Sequence, residues 1–231
     1  MSPAFHVERH FRASNTIRDI VIGIADGLTV PFALAAGLAG SVASNQLITT
    51  AGIAEIAAGS VAMGLGGYLA ARGDEEHYAN EFRREWQEVQ TTPEQESAET
   101  FEIFKAYGIP ARQCASVVEA LSKNRDAWVR FMMRFELGLE RPEHGRATHS
   151  AATIAGSYIV GGLIPISPYF LTAGVSTALP YSIGLTLLAL AGFGYFKGSF
   201  TGISRLRSAV QTLAIGSAAA AAAYTLAGTI N

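Results

Sequence analysis

Of 231 residues, 49% are hydrophobic and only 16% charged, with a formal net charge of −2; a typical soluble domain is about 25% charged. Twenty-five of the 36 Lys, Arg, Asp and Glu side chains fall between Asp74 and Arg146, so the remainder has the composition of membrane rather than of an ordinary soluble enzyme. The small net charge averages an acidic middle and basic flanks, and gives nucleic-acid binding no support.

Residues 1–16 are polar and carry His6, Glu8, Arg9, His10 and Arg12. They predict an amphipathic cytoplasmic segment presenting Phe5 and Phe11, and no cleavable signal peptide. Helical apolar runs of about 20 residues match the ~30 Å hydrocarbon core of a bilayer. Five such runs follow, at 17–38, 47–71, 150–167, 177–196 and 209–230. Loops 39–46 and 168–176 contain no Lys or Arg. Arg9, Arg12 and Arg18 precede the first run, ten bases lie between Asp74 and Arg146, and Lys197, Arg205 and Arg207 separate the last two runs. The positive-inside bias therefore puts the N-terminus and the polar insert in the cytoplasm and the C-terminus across the membrane. The domain plan is a cytoplasmic segment 1–16, two spans in 17–72, a cytoplasmic helical insert 73–148 and three spans in 149–231. The fold class is an all-α integral membrane protein. Its single Cys114 excludes an internal disulfide and suits a reducing compartment.

Within the insert, the second span continues as a helix through Glu85, Trp86 and Val89 and stops at Thr91 and Thr92. Pro93 fits the first position of the next helix, with Thr92 as N-cap and Glu94 and Glu96 in the acidic first turn. That helix ends near Tyr107 and Gly108. Pro110 opens a third stretch that pauses near Asn124 and resumes through Trp128, Met132, Phe135 and Leu139, before Pro142.

Two carboxylates interrupt the apolar runs. Each costs roughly 2.5–3.5 kcal/mol near the bilayer centre on insertion scales, which makes Asp26 and Glu55 functional candidates. Asp26 lies nine residues past Ile17, about 13 Å along a helix at 1.5 Å per residue, and Met63 on the antiparallel second run sits at a similar depth. Oxygen with sulfur suits a borderline divalent transition metal better than Mg²⁺ or Ca²⁺. The competing reading is structural: a neutral Asp26 bonded to backbone freed near Pro31, and Met63 as core filler. In the insert, Glu85 and Glu88, and Glu96 and Glu99, form two Glu-x-x-Glu pairs, each on one helical face. An antiparallel turn between them assembles four carboxylates, with Met132, Met133 and Glu136 as a third wall. A solvated acidic face is the alternative.

Other chemistries find no matching residues. Di-iron carboxylate enzymes need Glu-x-x-His on core helices, and the nearest match is Asp74 with His77. His6 and His10 lack the zincin order. No phosphate-cradling loop, nucleophile elbow or Cys pair is present.

The run Arg18-Asp19-Ile20-Val21-Ile22-Gly23-Ile24-Ala25-Asp26-Gly27-Leu28-Thr29-Val30-Pro31-Phe32-Ala33-Leu34, followed by Glu55, Met63 and the paired glutamates, strongly resembles the vacuolar iron transporter family over nearly the whole chain. The resemblance implies a five-span homodimer, not an enzyme and without a prosthetic group. Such a protein sits in the vacuolar membrane and moves cytoplasmic Fe²⁺ into the vacuole in exchange for protons, with Mn²⁺, Zn²⁺ and Co²⁺ as further cargo candidates. It implies that Asp26, Glu55 and Met63 line the pathway. It also makes the insert a metal-binding domain carried by Glu85, Glu88, Glu96, Glu99, Met132, Met133 and Glu136. Two alternatives stay open: a membrane-anchored metal buffer, and a ferroxidase.

Overall fold

Apolar runs broken by glycine and proline, and a polar middle with three-to-four-residue periodicity, fold entirely as helices among the described residues, 13–41 and 44–230, of the computed structural model. In chain order these are α1 (Ala13–Ala39), α2 (Asn45–Thr91), α3 (Pro93–Ala106), α4 (Ala111–Ser122), α5 (Arg125–Phe135), α6 (Arg146–Leu171), α7 (Val175–Thr201) and α8 (Arg205–Ile230). They form two compact units, Met1–Tyr68 with Ala147–Asn231, and Leu69–Arg146. The expected amphipathic segment with His6 and His10 lies outside the described residues.

Helices α1, α2, α6 and α7 are long and apolar enough to cross a membrane. The continuous α2 is 47 residues long, because nothing between Asn45 and Thr91 is a proline. The fifth expected span, 209–230, falls on α8, whose last five side chains lie outside the described residues, and α8 is not among those four.

In lipid, helices gain nothing from hiding apolar surface from water, so close van der Waals contact through small residues has to hold them together. The first unit is built this way. On α1, a Cβ at Gly23 would lie 2.4 Å from the Ile154 carbonyl oxygen, and one at Gly27 would lie 2.3 Å from that of Tyr158. Gly161 of α6 returns the approach toward Ile24 and Leu28. Helices α7 and α8 repeat the device, with Gly194 and Gly198 against Ala209 and Arg205. Gly202, at φ +69°, makes the left-handed turn between them. Gly27→Ala is therefore expected to destabilise the unit. The roughly 1 kcal/mol of helix propensity gained opposes an overpacking cost of roughly 1–3 kcal/mol, at its upper end because the obstacle is backbone. Thermal unfolding in detergent reads this, and an unchanged midpoint would show that α1 and α6 separate freely.

Prolines inside α6 leave carbonyls without their usual N–H partners. Pro168 cannot serve the Ile164 carbonyl, and the Ser167 hydroxyl donates to it instead at 2.8 Å. Ser182 of α7 donates to the Pro165 carbonyl at 2.7 Å, and Asn45 of α2 to the Thr172 carbonyl at 2.7 Å. Around these bonds Ala35, Ile48, Ile56, Ile166, Tyr169, Val175 and Ala178 form a buried apolar cluster.

The second unit packs Val89, Trp128, Val129, Met132 and Met133, with Tyr78, Phe82, Ile103, Leu121, Phe131, Leu137 and Leu139 against them. Asn124 caps α5, its side chain accepting from the Ala127 N–H at 3.2 Å. Thr92 holds the N-cap position of α3 without the expected capping bond; its hydroxyl donates backward to the Glu88 carbonyl at 3.1 Å. Helix α5 ends at Phe135 rather than near Leu139, since Gly138 at φ +66° turns the chain and brings Leu137 and Leu139 onto the core as loop.

Candidate functional site

In the second unit three elements converge on one point. Glu85 on α2, Glu96 on α3 and Glu136 at the C-cap of α5 each present a carboxylate oxygen, and these lie within 4.8 Å of one another. Burying carboxylates is costly unless something compensates. Yet Glu85 is 2% and Glu96 3% exposed, and the Oε2 atom of each has no hydrogen-bond partner.

The electrostatics follow from that burial. The Glu85 carboxyl is pushed up to about 7, first by burial and then by the charges of Glu136, Glu88 and Glu99, against a smaller pull from Arg84. Glu96 is likewise pushed up to about 7 by burial, then by Glu99, Glu85, Glu136 and Glu88. Glu136, which is exposed, also shifts upward, by partial desolvation first and then by the charges of Glu99 and Glu88, against Arg84. Each Glu-x-x-Glu pair is thus split by depth. Its first member points inward. Its second stays half-buried at the rim, Glu88 facing Arg84 at 3.5 Å and Glu99 accepting from Gln95 at 3.0 Å. A solvated acidic face would leave all of them in water. Oxygens on one small divalent ion, each about 2.1 Å from it, lie at most about 4.2 Å apart, so this set is wider than a closed ligand shell by well under 1 Å.

The two methionines of the expected third wall are buried. Met133 packs in the apolar cluster with Trp128 and Val89. The Met132 sulfur lies 3.2 Å from the Thr100 hydroxyl, one turn past Glu96 on α3.

In the first unit Asp26 and Glu55 are half-buried on α1 and α2, and Met63 is half-buried two turns beyond Glu55. Sequence reasoning missed the residue that holds Glu55. Tyr158 of α6, 2% exposed, donates its hydroxyl proton to Glu55 Oε1 at 2.5 Å. Glu55 Oε2 is buried without a partner. The slot for Tyr158 is made of glycine: a Cβ at Gly59 would sit 2.4 Å from its hydroxyl, and Gly27 abuts its backbone. A buried tyrosine normally finds a hydrogen-bond partner, but nothing in the sequence says which, since Glu55 stands 103 positions away.

Residues 17–228 match the model of the VIT family. The chain is 55% identical over 226 residues to vacuolar iron transporter 1 of Arabidopsis thaliana, covering 98% of this chain and 90% of that one. To vacuolar iron transporter 1 of Tulipa gesneriana it is 53% identical over 226 residues, with coverages of 98% and 92%. To Protein CCC1 of Saccharomyces cerevisiae it is 36% identical over 216 residues, with coverages of 90% and 67%. The plant relatives are named as transporters, not as enzymes. Since the match begins within the first turns of α1 and runs almost to the end of α8, taking in the glutamates of one unit and Asp26, Glu55 and Tyr158 of the other, the chain belongs to the VIT family.

Proposed function

We propose that the protein carries Fe²⁺ from the cytoplasm into the vacuole in exchange for protons, as a homodimer with α8 as its fifth span. Mn²⁺, Zn²⁺ and Co²⁺ are further candidate cargo. The names of the relatives support iron and the vacuole. The observation that carries transport rather than storage is the Glu55 carboxylate inside an apolar span, holding one hydrogen bond from Tyr158 and keeping a bare buried oxygen. An anchored buffer has no use for such a group.

The domain plan 1–16, 17–72, 73–148 and 149–231 assigns the steps. Glu85, Glu96 and Glu136, with Glu88 and Glu99 at the rim and Met132 and Met133 behind, capture metal on the cytoplasmic side. Asp26, Glu55 and Met63 take it through the membrane. Coupling comes from competition for the same oxygens: a proton on a carboxylate removes the charge that holds a divalent cation, so the acidic side favours release of metal and uptake of protons.

The test is Fe²⁺ uptake into proteoliposomes holding the purified full-length protein, with and without an acid-inside gradient. Gradient-stimulated uptake is expected. Metal binding without uptake would sink transport in favour of the anchored buffer, and oxygen consumption with Fe²⁺ would favour a ferroxidase.

A further inference from the structure

The three carboxylates of the second unit come from separate elements, so something has to fix their spacing. Glu96 and Thr100 are one turn apart on α3. Trp128, Met132 and Glu136 follow one another at single-turn intervals along α5 and its cap. Between the two rows runs one buried hydrogen-bond chain. Trp128 Nε1 donates to Thr100 Oγ1 at 2.8 Å, and the hydroxyl's single proton serves either the Glu96 carbonyl oxygen at 2.7 Å or the Met132 sulfur at 3.2 Å. Thr100 is fully buried and Trp128 2% exposed. Apolar packing between α3 and α5, such as Phe104 on Phe131 with ring centroids 4.9 Å apart, tolerates sliding. The hydrogen bonds do not, because their geometry is directional.

We propose, on the reading that this unit captures metal, that Thr100 held by Trp128 is a positioning residue. It fixes the register of Glu96 against Glu136, and it aims the Met132 sulfur into the site, biasing capture toward metals that accept a thioether. The chemistry of the hydroxyl fits this role. When a cation takes the sulfur's lone pair, the proton stays on the Glu96 carbonyl and the Trp128 N–H keeps its acceptor, so metal binding leaves no buried donor unsatisfied. Residues that orient metal ligands typically contribute 10–100-fold in affinity, and sulfur donors favour the softer metals over Mn²⁺.

The experiment is calorimetric titration of the full chain in detergent with Co²⁺ and with Mn²⁺. Thr100→Val keeps the shape but removes both the acceptor and the proton. It is expected to weaken Co²⁺ binding roughly 10–100-fold while shifting Mn²⁺ by a much smaller factor. Met132→Leu should do the same, with no further loss in the double variant, since residues acting through one another are not additive. Thr100→Ser, which keeps the hydroxyl, should restore the Co²⁺ preference, and comparison of its thermal midpoint with that of Thr100→Val separates aim from folding. Equal losses for the two metals, or additive losses in the double variant, would reduce Thr100 to a core residue and overturn the proposal. Absence of binding by the unmodified chain would overturn the capture reading itself, a different result from any variant effect.

Discussion

Asp26→Asn is expected to bring Fe²⁺ uptake in proteoliposomes down to the rate of protein-free vesicles, while leaving metal binding by the second unit intact. Asparagine keeps the shape and an oxygen but not the charge, and a neutral amide cannot alternate between a cation and a proton. The substitution also removes a residue that costs roughly 2.5–3.5 kcal/mol near the bilayer centre, so the variant should be no less stable than the parent and loss of flux cannot be blamed on misfolding. Tyr158→Phe in the same vesicles supplies the graded comparison. Its ring still fills the slot between Gly27 and Gly59, but Glu55 loses a donor. A hydrogen bond to a charged group contributes about 1.5–3 kcal/mol, so a loss of roughly 10- to 150-fold is expected rather than abolition. Normal uptake by Asp26→Asn would remove Asp26 from the pathway and leave Glu55 to carry it.

What the sequence made legible was whatever its local spacing encodes. The distribution of charge separated the insert from the apolar runs, Pro93, Pro110 and Asn124 marked its helix boundaries, and three-residue spacing put Glu85 with Glu88 and Glu96 with Glu99. Spacing could not say which member of each pair turns inward, because depth is decided by the partner helix rather than by the helix itself. Glu85 and Glu96 are buried because α2 and α3 face each other across Pro93 and α5 closes over them with Trp128, a packing fact. Tyr158 and Thr100 were illegible for the same reason. Their partners stand 103 and 28 positions away, and a lone tyrosine or threonine in a helix carries no mark of what it will meet. Thr92 takes the expected N-cap position but lacks the capping bond for a local reason: its hydroxyl has two backbone options, and the carbonyl behind it won.

Glu85→Gln is expected to act with opposite signs on metal affinity and on stability. Removing a ligand charge should weaken Co²⁺ or Fe²⁺ binding by more than the 10–100-fold typical of residues that merely orient ligands. Stability of the metal-free protein should rise instead, because the Glu85 carboxyl is held at about 7 by burial and by its acidic neighbours, well above the ordinary value of about 4.3 that it has in the unfolded chain. The sign follows from proton counting. Below about pH 4.3 both states are protonated and no penalty exists; between there and about pH 7 the folded protein retains a proton that the unfolded chain has released, so stability falls as pH rises. Above about pH 7 the full cost of two buried, mutually repelling carboxylates is in place, since Glu96 behaves alike. Glutamine removes one of them and can donate to the bare oxygen of the other. A gain of about 1 kcal/mol corresponds to roughly 2–4 °C in a chain of this size, read as the thermal midpoint in chelator at pH 8, with a smaller gain at pH 5. Added metal should reverse the order, stabilising the parent more than the variant. The same protons compete with metal, so affinity in the parent should fall as pH drops below about 7. A variant less stable than the parent at pH 8 without metal would show that Glu85 is held by an interaction other than a cation, and the capture site would lose its central ligand.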